Sequence, residues 1–346
     1  MAGDRVTWHN IERLALFGGS WIVAELLPRL AGLPWDLHVF TSPRHLDDVV
    51  TKGGETLRAV MERLSVAYTS SEDIDTDPEA LAFAGPSTLG IAFGAAWTFS
   101  PDFAARFAGP LLDFMGIPLP AYRGGAHYTW QILNRERRGA CNLQIVLGGE
   151  ESFHRGPILR HEAYRMPDGA RTPQDYFDAA LAQESAFILR FLDDVRAGAG
   201  FEPQPLDERE ASYFPFLHTK VHGWVDWSGG AEEVARFIGA FGDPYPGAST
   251  LWRRRRVFLK DAREEAEGGG HPFARGLVFR NDAGGIWACT RDGSVRIGRV
   301  VDEDGRDLTA EIAPGSRFIT PAERLEEALA SELVYTASGP SVEKML

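Results

Sequence analysis

Two acidic residues and a histidine that could carry out chemistry lie close together in this 346-residue chain, at Glu150, Glu151 and His154. A carboxylate accepts protons, and an imidazole gives or takes one near neutral pH, so this grouping suits general acid–base chemistry. All three lie in a glycine-containing loop. For the two glutamates, a solvated loop face is the alternative interpretation.

Other common kinds of site are not indicated. The turn at Gly18, Gly19 and Ser20 follows an apolar run but lacks the full spacing of a dinucleotide or phosphate loop, which favours a plain strand-to-helix turn. No group of cysteines and histidines has zinc-ligand spacing. Cys141 and Cys289 lie far apart in apolar runs, so we expect buried free thiols rather than a disulfide.

Short apolar runs alternate with helix-like segments in the first half of the chain. We predict strands at 14–17, 37–40, 89–93, 110–114 and 143–147, with helices at about 22–30 and 56–64. Strands separated by helices are typical of βαβ units with a mostly parallel sheet.

A long helix is predicted after Thr172, which can cap it, with Pro173 in its first turn and an apolar stripe at helical spacing. Short strands then follow at 257–259, 276–279, 285–289 and 294–300, which predicts a small antiparallel barrel. We therefore expect a first domain at 1–200, a linker at 201–212, a second domain at 213–335 and a loose tail at 336–346.

Ordered motifs along the chain resemble the folate-dependent formyltransferases. Residues 119–125 read Leu-Pro-Ala-Tyr-Arg-Gly-Gly and residues 156–159 read Gly-Pro-Ile-Leu, both similar to family signatures. Residues 91–94 resemble the strand that leads into the folate pocket. Residues 225–227, 237–241, 244–248 and 286–293 resemble the barrel domain of methionyl-tRNA formyltransferase and, more closely, the aminoarabinose formyltransferase.

The resemblance implies a Rossmann-like domain, a connecting helix and an OB-like domain. It also implies formyltetrahydrofolate, or a related folate, as the cofactor. The residues expected to bind it are Phe93, Gly94, Arg123, Gly124 and Gly149. Those expected to contact the substrate are Met115, Tyr122, His127 and Glu151.

The expected catalytic residues depart from the family pattern. The family has an asparagine, a histidine two residues later and a distant aspartate, whereas this chain has Asp113, Met115 and His154 in those places. Methionine neither carries a proton nor donates a hydrogen bond. An ionised Asp113 would repel the oxygen that becomes negative during formyl transfer.

Two hypotheses follow for this altered site. In the first, Asp113 and His154 face each other, and His154 acts as the general base in formyl, one-carbon or acyl transfer to a small amine metabolite. In the second, the protein is a catalytically inactive relative that binds a small molecule or a partner. The sequence leaves both open.

Charge and composition limit the partners. Lys and Arg number 36 against 49 Asp and Glu, a net charge of −13, which disfavours nucleic acid as the main partner. No apolar run is long enough for a membrane span, and we expect a cytoplasmic protein. Dimeric members of the family make a homodimer plausible.

Overall fold

The computed structural model describes residues 5–149, 154–267, 271–336 and 339–344. Its contacts divide the chain into two compact units. The first contains Met1–Arg123, Arg138–Arg165 and Ala180–Ser212, and the second contains Gly124–Arg137, Met166–Ala179 and Tyr213–Leu346. The chain passes between the units several times, whereas the sequence predicted one boundary near residue 200.

Helices and strands are numbered in chain order. The helices are α1 (Trp21–Leu30), α2 (Pro43–Leu46), α3 (Leu57–Leu64), α4 (Pro78–Phe83), α5 (Pro101–Ala104), α6 (His127–Leu133), α7 (Pro173–Arg196), α8 (Thr219–His222), α9 (Ala231–Ala240) and α10 (Ala322–Leu329). The strands are β1 (Val6–Thr7), β2 (Arg13–Gly18), β3 (Asp36–Thr41), β4 (Ala67–Ser70), β5 (Thr88–Phe93), β6 (Leu112–Met115), β7 (Arg123–Gly124), β8 (Arg138–Ile145), β9 (Ile158–Arg165), β10 (Gly200–Phe201), β11 (Tyr213–Phe214), β12 (Ala248–Trp252), β13 (Arg255–Glu265), β14 (Val278–Asp282), β15 (Gly285–Cys289), β16 (Ser294–Val301), β17 (Phe318–Ile319), β18 (Ser331–Thr336) and β19 (Gly339–Lys344).

A mostly parallel sheet forms the centre of the first unit. Within the described ranges its order is β4-β3-β2-β5-β6-β8-β9. The strands from β4 to β6 are parallel, and β8 and β9 continue the sheet antiparallel. Because β5 is buried along its whole length, it reads as an uninterrupted apolar run. The strand order reverses between β2 and β5. In open α/β sheets, ligands bind beside the carboxyl ends of the strands at the point of reversal.

Apolar layers cover both faces of this sheet. On one face, Phe114 of β6 contacts Phe187 of α7, with ring centroids 6.2 Å apart. On the other face, Phe17 and Phe40 stack at 5.3 Å, and Phe103 packs edge-on against Phe17. Since side chains alternate along a strand, the neighbours of Phe114 in β6 point to this second face. The predicted Rossmann-like class is confirmed.

The long helix α7 begins with the predicted cap. The backbone N–H of Asp175 donates to Oγ1 of Thr172 (3.2 Å), and the N–H of Thr172 donates to Oδ2 of Asp175 (2.9 Å). These reciprocal bonds satisfy N–H groups that have no acceptor within the helix. Pro173 then opens the first turn, where its missing N–H costs nothing.

An antiparallel sheet dominates the second unit. Its order in the described residues is β14-β15-β16-β13-β12-β17, and helix α9 packs on β13. Gly285 begins β15 at φ 123°, where an added Cβ would lie 2.5 Å from the carbonyl oxygen of Ile297. Only glycine fits there, and β14 and β15 pair as antiparallel strands on either side of this turn. The sheet is the half-barrel expected of the predicted OB-like domain.

Two segments at the predicted domain ends contain regular structure. Residues 201–212 were predicted to be a linker, and at its start Phe201 of β10 pairs with β1 and packs against Trp8 and Phe191 in the first unit. Most of the residues that follow in this segment are exposed, and the linker stays a prediction. The predicted tail also contains regular structure, since β18 and β19 pair as a hairpin.

Two further observations concern membrane spans and the cysteines. None of the helices in the described ranges is long and apolar enough to cross a bilayer. Cys141 and Cys289 are both free and buried, as predicted.

Candidate functional site

Asp113 is the second residue of β6 and lies between Ala92 of β5 and Gln144 of β8 in the sheet register. Its side chain is half-buried, and in the described part of the chain no hydrogen bond or ion pair reaches it. Burial raises the pKa of Asp113 from its ordinary 3.8 to about 7. A carboxyl group with that pKa is partly protonated at neutral pH, and its protonated form donates a hydrogen bond.

Polar residues that the sequence analysis missed hold the end of β6. The side-chain amide of Asn142 donates to the carbonyl oxygens of Met115 (3.0 Å) and Ile117 (2.6 Å). Nδ1 of His161 donates to Oδ1 of Asn142 (2.7 Å). Met115, Asn142 and His161 are neighbours across β6, β8 and β9. Met115 itself is half-buried, and this network fixes its backbone.

Gln144 links the strand beside Asp113 to the segment that follows His154. Its amide donates to the carbonyl oxygen of Gly156 at 2.7 Å. A Cβ on Gly156 would lie 1.8 Å from the carbonyl oxygen of Ile145, so only glycine allows this close approach. The signal that would have found Gln144 and Asn142 is their alternation along an otherwise apolar strand.

His154 is half-buried, and its backbone is left-handed at φ 57°. A non-glycine residue in that conformation is uncommon and often marks a functional segment. No hydrogen bond or ion pair joins His154 to Asp113 within the described ranges, so their pairing stays a prediction. Glu151 and Glu150 lie outside the described residues.

Gly94 and Gly149 both leave open space at the sheet edge. Each has a left-handed backbone, at φ 60° and φ 83°, and a Cβ built on either would meet no atom within 4 Å. The N–H of Gly149 donates to the carbonyl oxygen of Phe99 (2.9 Å). Phe93, also predicted to bind cofactor, is only 1% exposed, so its side chain belongs to the core and only its backbone is available.

Tyr122 and Arg123 shape the signature turn. Tyr122 is buried with a left-handed backbone at φ 60°, and its N–H donates to Oγ of Ser212 (3.0 Å). The guanidinium of Arg123 makes two parallel bonds to the carboxylate of Glu208, at 2.7 and 2.8 Å. A bidentate pair of this kind orients the turn and leaves less of the cation for a ligand.

Gly124 and His127 belong to the second unit. Gly124 has φ 104°, and a Cβ there would lie 2.0 Å from the carbonyl oxygen of Phe214. Nε2 of His127 donates to the carbonyl oxygen of Gly124 at 2.9 Å. Burial lowers the pKa of His127, which favours its neutral form. Both residues have a clear structural use.

Comparison with known proteins supports this architecture. Residues 218–315 match the family described as the C-terminal domain of formyl transferase. The methionyl-tRNA formyltransferase of Roseiflexus castenholzii is 29% identical over 224 residues, covering 62% of this chain and 67% of that protein. The protein of that name from Roseiflexus sp. strain RS-1 is 32% identical over 165 residues, covering 46% of this chain and 47% of its own length. The chain thus matches between about half and two thirds of these relatives.

A solved structure shows the same fold. The N-formyltransferase from Helicobacter canadensis, in complex with folinic acid and dTDP-3-aminofucose, has a TM-score of 0.61 at 14% identity. The match covers 83% of this chain and 99% of that chain. The family match to residues 218–315 and the similarity to methionyl-tRNA formyltransferases support the folate-dependent formyltransferase family that the sequence predicted. The solved neighbour supports the predicted fold of a mostly parallel sheet with an antiparallel half-barrel.

Proposed function

We propose that this protein transfers a formyl or related one-carbon group from a folate to the amine of a small metabolite. In this proposal Asp113 replaces the family asparagine, and His154 acts as the general base. The supporting observation is the burial of Asp113, which raises its pKa to about 7. The protonated carboxyl then donates a hydrogen bond, as the asparagine amide would.

A hydrogen-bond donor role for Asp113 avoids the charge repulsion that an ionised carboxylate would cause during formyl transfer. A developing oxyanion is repelled by a carboxylate but stabilised by a neutral acid. Since the pKa lies near 7, a substantial fraction of the protein carries this acid at neutral pH. Asp113 therefore needs no contact with His154 for this role.

His154 supplies the basic function in the proposal. An amine must lose a proton as it attacks, and an imidazole accepts protons near neutral pH. Met115, in the family's histidine position, cannot do so. The left-handed backbone of His154 and the bond from Gln144 to Gly156 give this segment a defined path beside β8.

In the proposal, the space beside Gly94 and Gly149 accommodates part of a bound folate. A Cβ built on Gly94, after β5, or on Gly149, after β8, would meet no atom within 4 Å. A formylated folate would supply the formyl group that is transferred. The relative from Helicobacter canadensis, which was solved with folinic acid, supports this assignment by family resemblance.

The acceptor that we propose is a small amine. Relatives in sequence carry the name methionyl-tRNA formyltransferase, whereas the solved neighbour holds an amino sugar nucleotide. A net charge of −13 opposes binding to a polyanion. The negative charge of the protein therefore favours a small metabolite over tRNA as the acceptor.

Turnover of 10-formyltetrahydrofolate with a panel of amino sugar nucleotides tests the proposal. We expect His154→Ala to lower kcat about 100-fold or more. Asp113→Ala should lower it by a similar factor, and Asp113→Asn should retain activity. The exposed His9→Ala serves as the matched control and should leave kcat unchanged.

The pH profile separates a donor from a base. Loss of protonated Asp113 should lower the wild-type rate as pH rises through about 7, and Asp113→Asn should abolish this limb. Wild-type turnover in both His154→Ala and Asp113→Ala would refute the proposed roles. Folate binding with no turnover under any condition would instead support the inactive, ligand-binding relative.

A further inference from the structure

We propose that a cleft in the second unit binds a small anionic ligand, one that carries a phosphate or carboxylate group on an apolar body. The cleft has a volume of about 450 Å³. Its floor belongs to β13 and β16, where Phe258 and Lys260 lie opposite Val301 and Arg299. None of these residues takes part in the one-carbon chemistry proposed above, so the two proposals are independent.

The strand register puts two cations side by side in this cleft. Lys260 of β13 and Arg299 of β16 are directly opposite each other. Their neighbours Leu259 and Val300 are 0% exposed and point into the core, so both cations lie on the outer face of the sheet. Like charges directly opposite each other on antiparallel strands repel. An anion bound between them would offset this repulsion.

The two cations differ in their acidic partners within the described ranges. Lys260 forms an ion pair with Asp243. Arg299 makes no hydrogen bond or ion pair with a described residue, and its Nε is buried without a partner there. The charge of Arg299 does reach Asp307, but the pKa of Asp307 is lowered chiefly by hydrogen bonds from Thr309 and less by Arg299. Since buried polar groups normally have partners, this guanidinium is suited to a ligand that supplies one.

A third cation lines the cleft from outside the sheet. Lys220 of α8 is exposed, and its ammonium group makes no hydrogen bond or ion pair with the part of the chain that the structure describes. Nη2 of Arg256 donates to the carbonyl oxygen of Lys220 at 2.8 Å, which ties the backbone of Lys220 to β13. A planar guanidinium and a flexible ammonium are the side-chain groups that bind phosphates and carboxylates.

Apolar side chains lie next to the cations. Phe258 and Val301 are opposite each other, two residues along their strands from Lys260 and Arg299. Pro246 lines the same cleft and is exposed. A ligand with an apolar body would cover this surface while its anionic group reaches the guanidinium.

Two acidic residues at one side of the cleft restrict the ligand further. Asp302 accepts from the backbone N–H groups of Asp304 (3.1 Å) and Arg306 (2.9 Å), so its carboxylate stabilises the turn after β16. Glu303 is exposed and also lines the cleft. These carboxylates, like the net charge of −13, would repel the further phosphates of a nucleic acid. A single small anion meets the three cations and avoids most of this repulsion.

Titration of the ¹⁵N-labelled full chain with phenyl phosphate, benzoate and inorganic phosphate tests the proposal. We expect saturable shifts of the Arg299 Nε–H signal and of the Gly305 amide signal, with dissociation constants of about 1–10 mM. Phenyl phosphate should bind at least about 3-fold more tightly than inorganic phosphate, because its ring covers the apolar surface. The tighter ligand of phenyl phosphate and benzoate identifies the anionic group that the cleft prefers.

Variants followed at the Gly305 amide identify the cations involved. Arg299→Gln should weaken binding about 10-fold or more, since charge-assisted hydrogen bonds are lost. Lys220→Gln, at an exposed position, should fold normally and weaken binding about 2- to 5-fold. Arg275→Gln is the matched control, because Nε of Arg275 is also buried without a partner among the described residues but does not line the cleft.

The proposal is overturned if no anion gives saturable shifts below about 50 mM, or if Arg299→Gln and Lys220→Gln both bind like the wild type. Equal weakening by Arg275→Gln, or phenyl phosphate that binds no more tightly than inorganic phosphate, would also overturn it. A short RNA oligonucleotide that shifts these signals where inorganic phosphate does not would identify a nucleic-acid surface instead. None of these measurements uses folate or turnover, so a failure here is distinct from a failure of the proposed function.

Discussion

The half-buried carboxyl of Asp113 couples chemistry to stability. Its pKa is raised to about 7 in the folded chain, against an ordinary 3.8. Between those two pH values the folded state keeps a proton that the unfolded state has released. The unfolded state therefore binds fewer protons, and the free energy of unfolding falls as pH rises through this window.

Asp113→Asn should remove this pH-dependent cost. We expect the variant to exceed the wild type by about 1–4 kcal/mol in free energy of unfolding at pH 8, and by little near pH 4. Urea denaturation at both pH values measures the difference. Glu25→Gln, at an exposed acid of α1, is the control. An equal effect of Asp113→Asn at pH 4 and pH 8 would contradict the raised pKa.

At the scale of elements, one ion pair braces the signature turn. Arg123 opens β7 with a side chain only 12% exposed, and Glu208 begins the short 3₁₀ turn Glu208–Glu210. Two parallel bonds join them, and Arg123 holds the pKa of Glu208 below its usual range. Loss of the carboxylate would leave a mostly buried guanidinium without its partner.

Glu208→Gln should therefore destabilise the first unit by about 1–2 kcal/mol, less than a fully buried pair because Glu208 is 55% exposed. Thermal unfolding measures this cost. Glu327→Gln breaks the exposed pair with Arg324 and should cost no more than about 0.5 kcal/mol. Equal losses in the two variants would show that Arg123–Glu208 is only a surface contact.

At the scale of the whole molecule, the net charge of −13 is the property most relevant to the acceptor. Relatives carry a tRNA-modifying name, but a strongly negative protein lacks the long-range attraction that nucleic acids require. The predicted cytoplasmic location and homodimer stay predictions.

We expect no saturable binding of initiator tRNA in a mobility-shift titration at about 50 mM salt, where electrostatic binding is strongest. The double variant Arg44→Ala, Lys52→Ala removes the cations of the segment after β3 and should behave like the wild type. Micromolar binding by the wild type, lost in that variant, would identify tRNA as a partner instead.

Much of the fold was determined by local sequence. The apolar runs of β2 and β5 are visible in the sequence itself, and the cap at Thr172 acts through Asp175, three residues away. Periodicity and turn chemistry report such effects directly. The motifs at 119–125 and 156–159 also indicated the resemblance to formyltransferases and drew attention to Asp113 and His154.

Tertiary structure decided the rest because the relevant partners are distant in sequence. The pKa of Asp113 depends on how deeply the sheet buries it, and the Asn142–His161 network depends on strand register. Phe201 was assigned to a linker because its partners Trp8 and Phe191 are remote in the chain. Burial and cross-strand hydrogen bonds arise only when the chain is folded, so composition and spacing do not contain them.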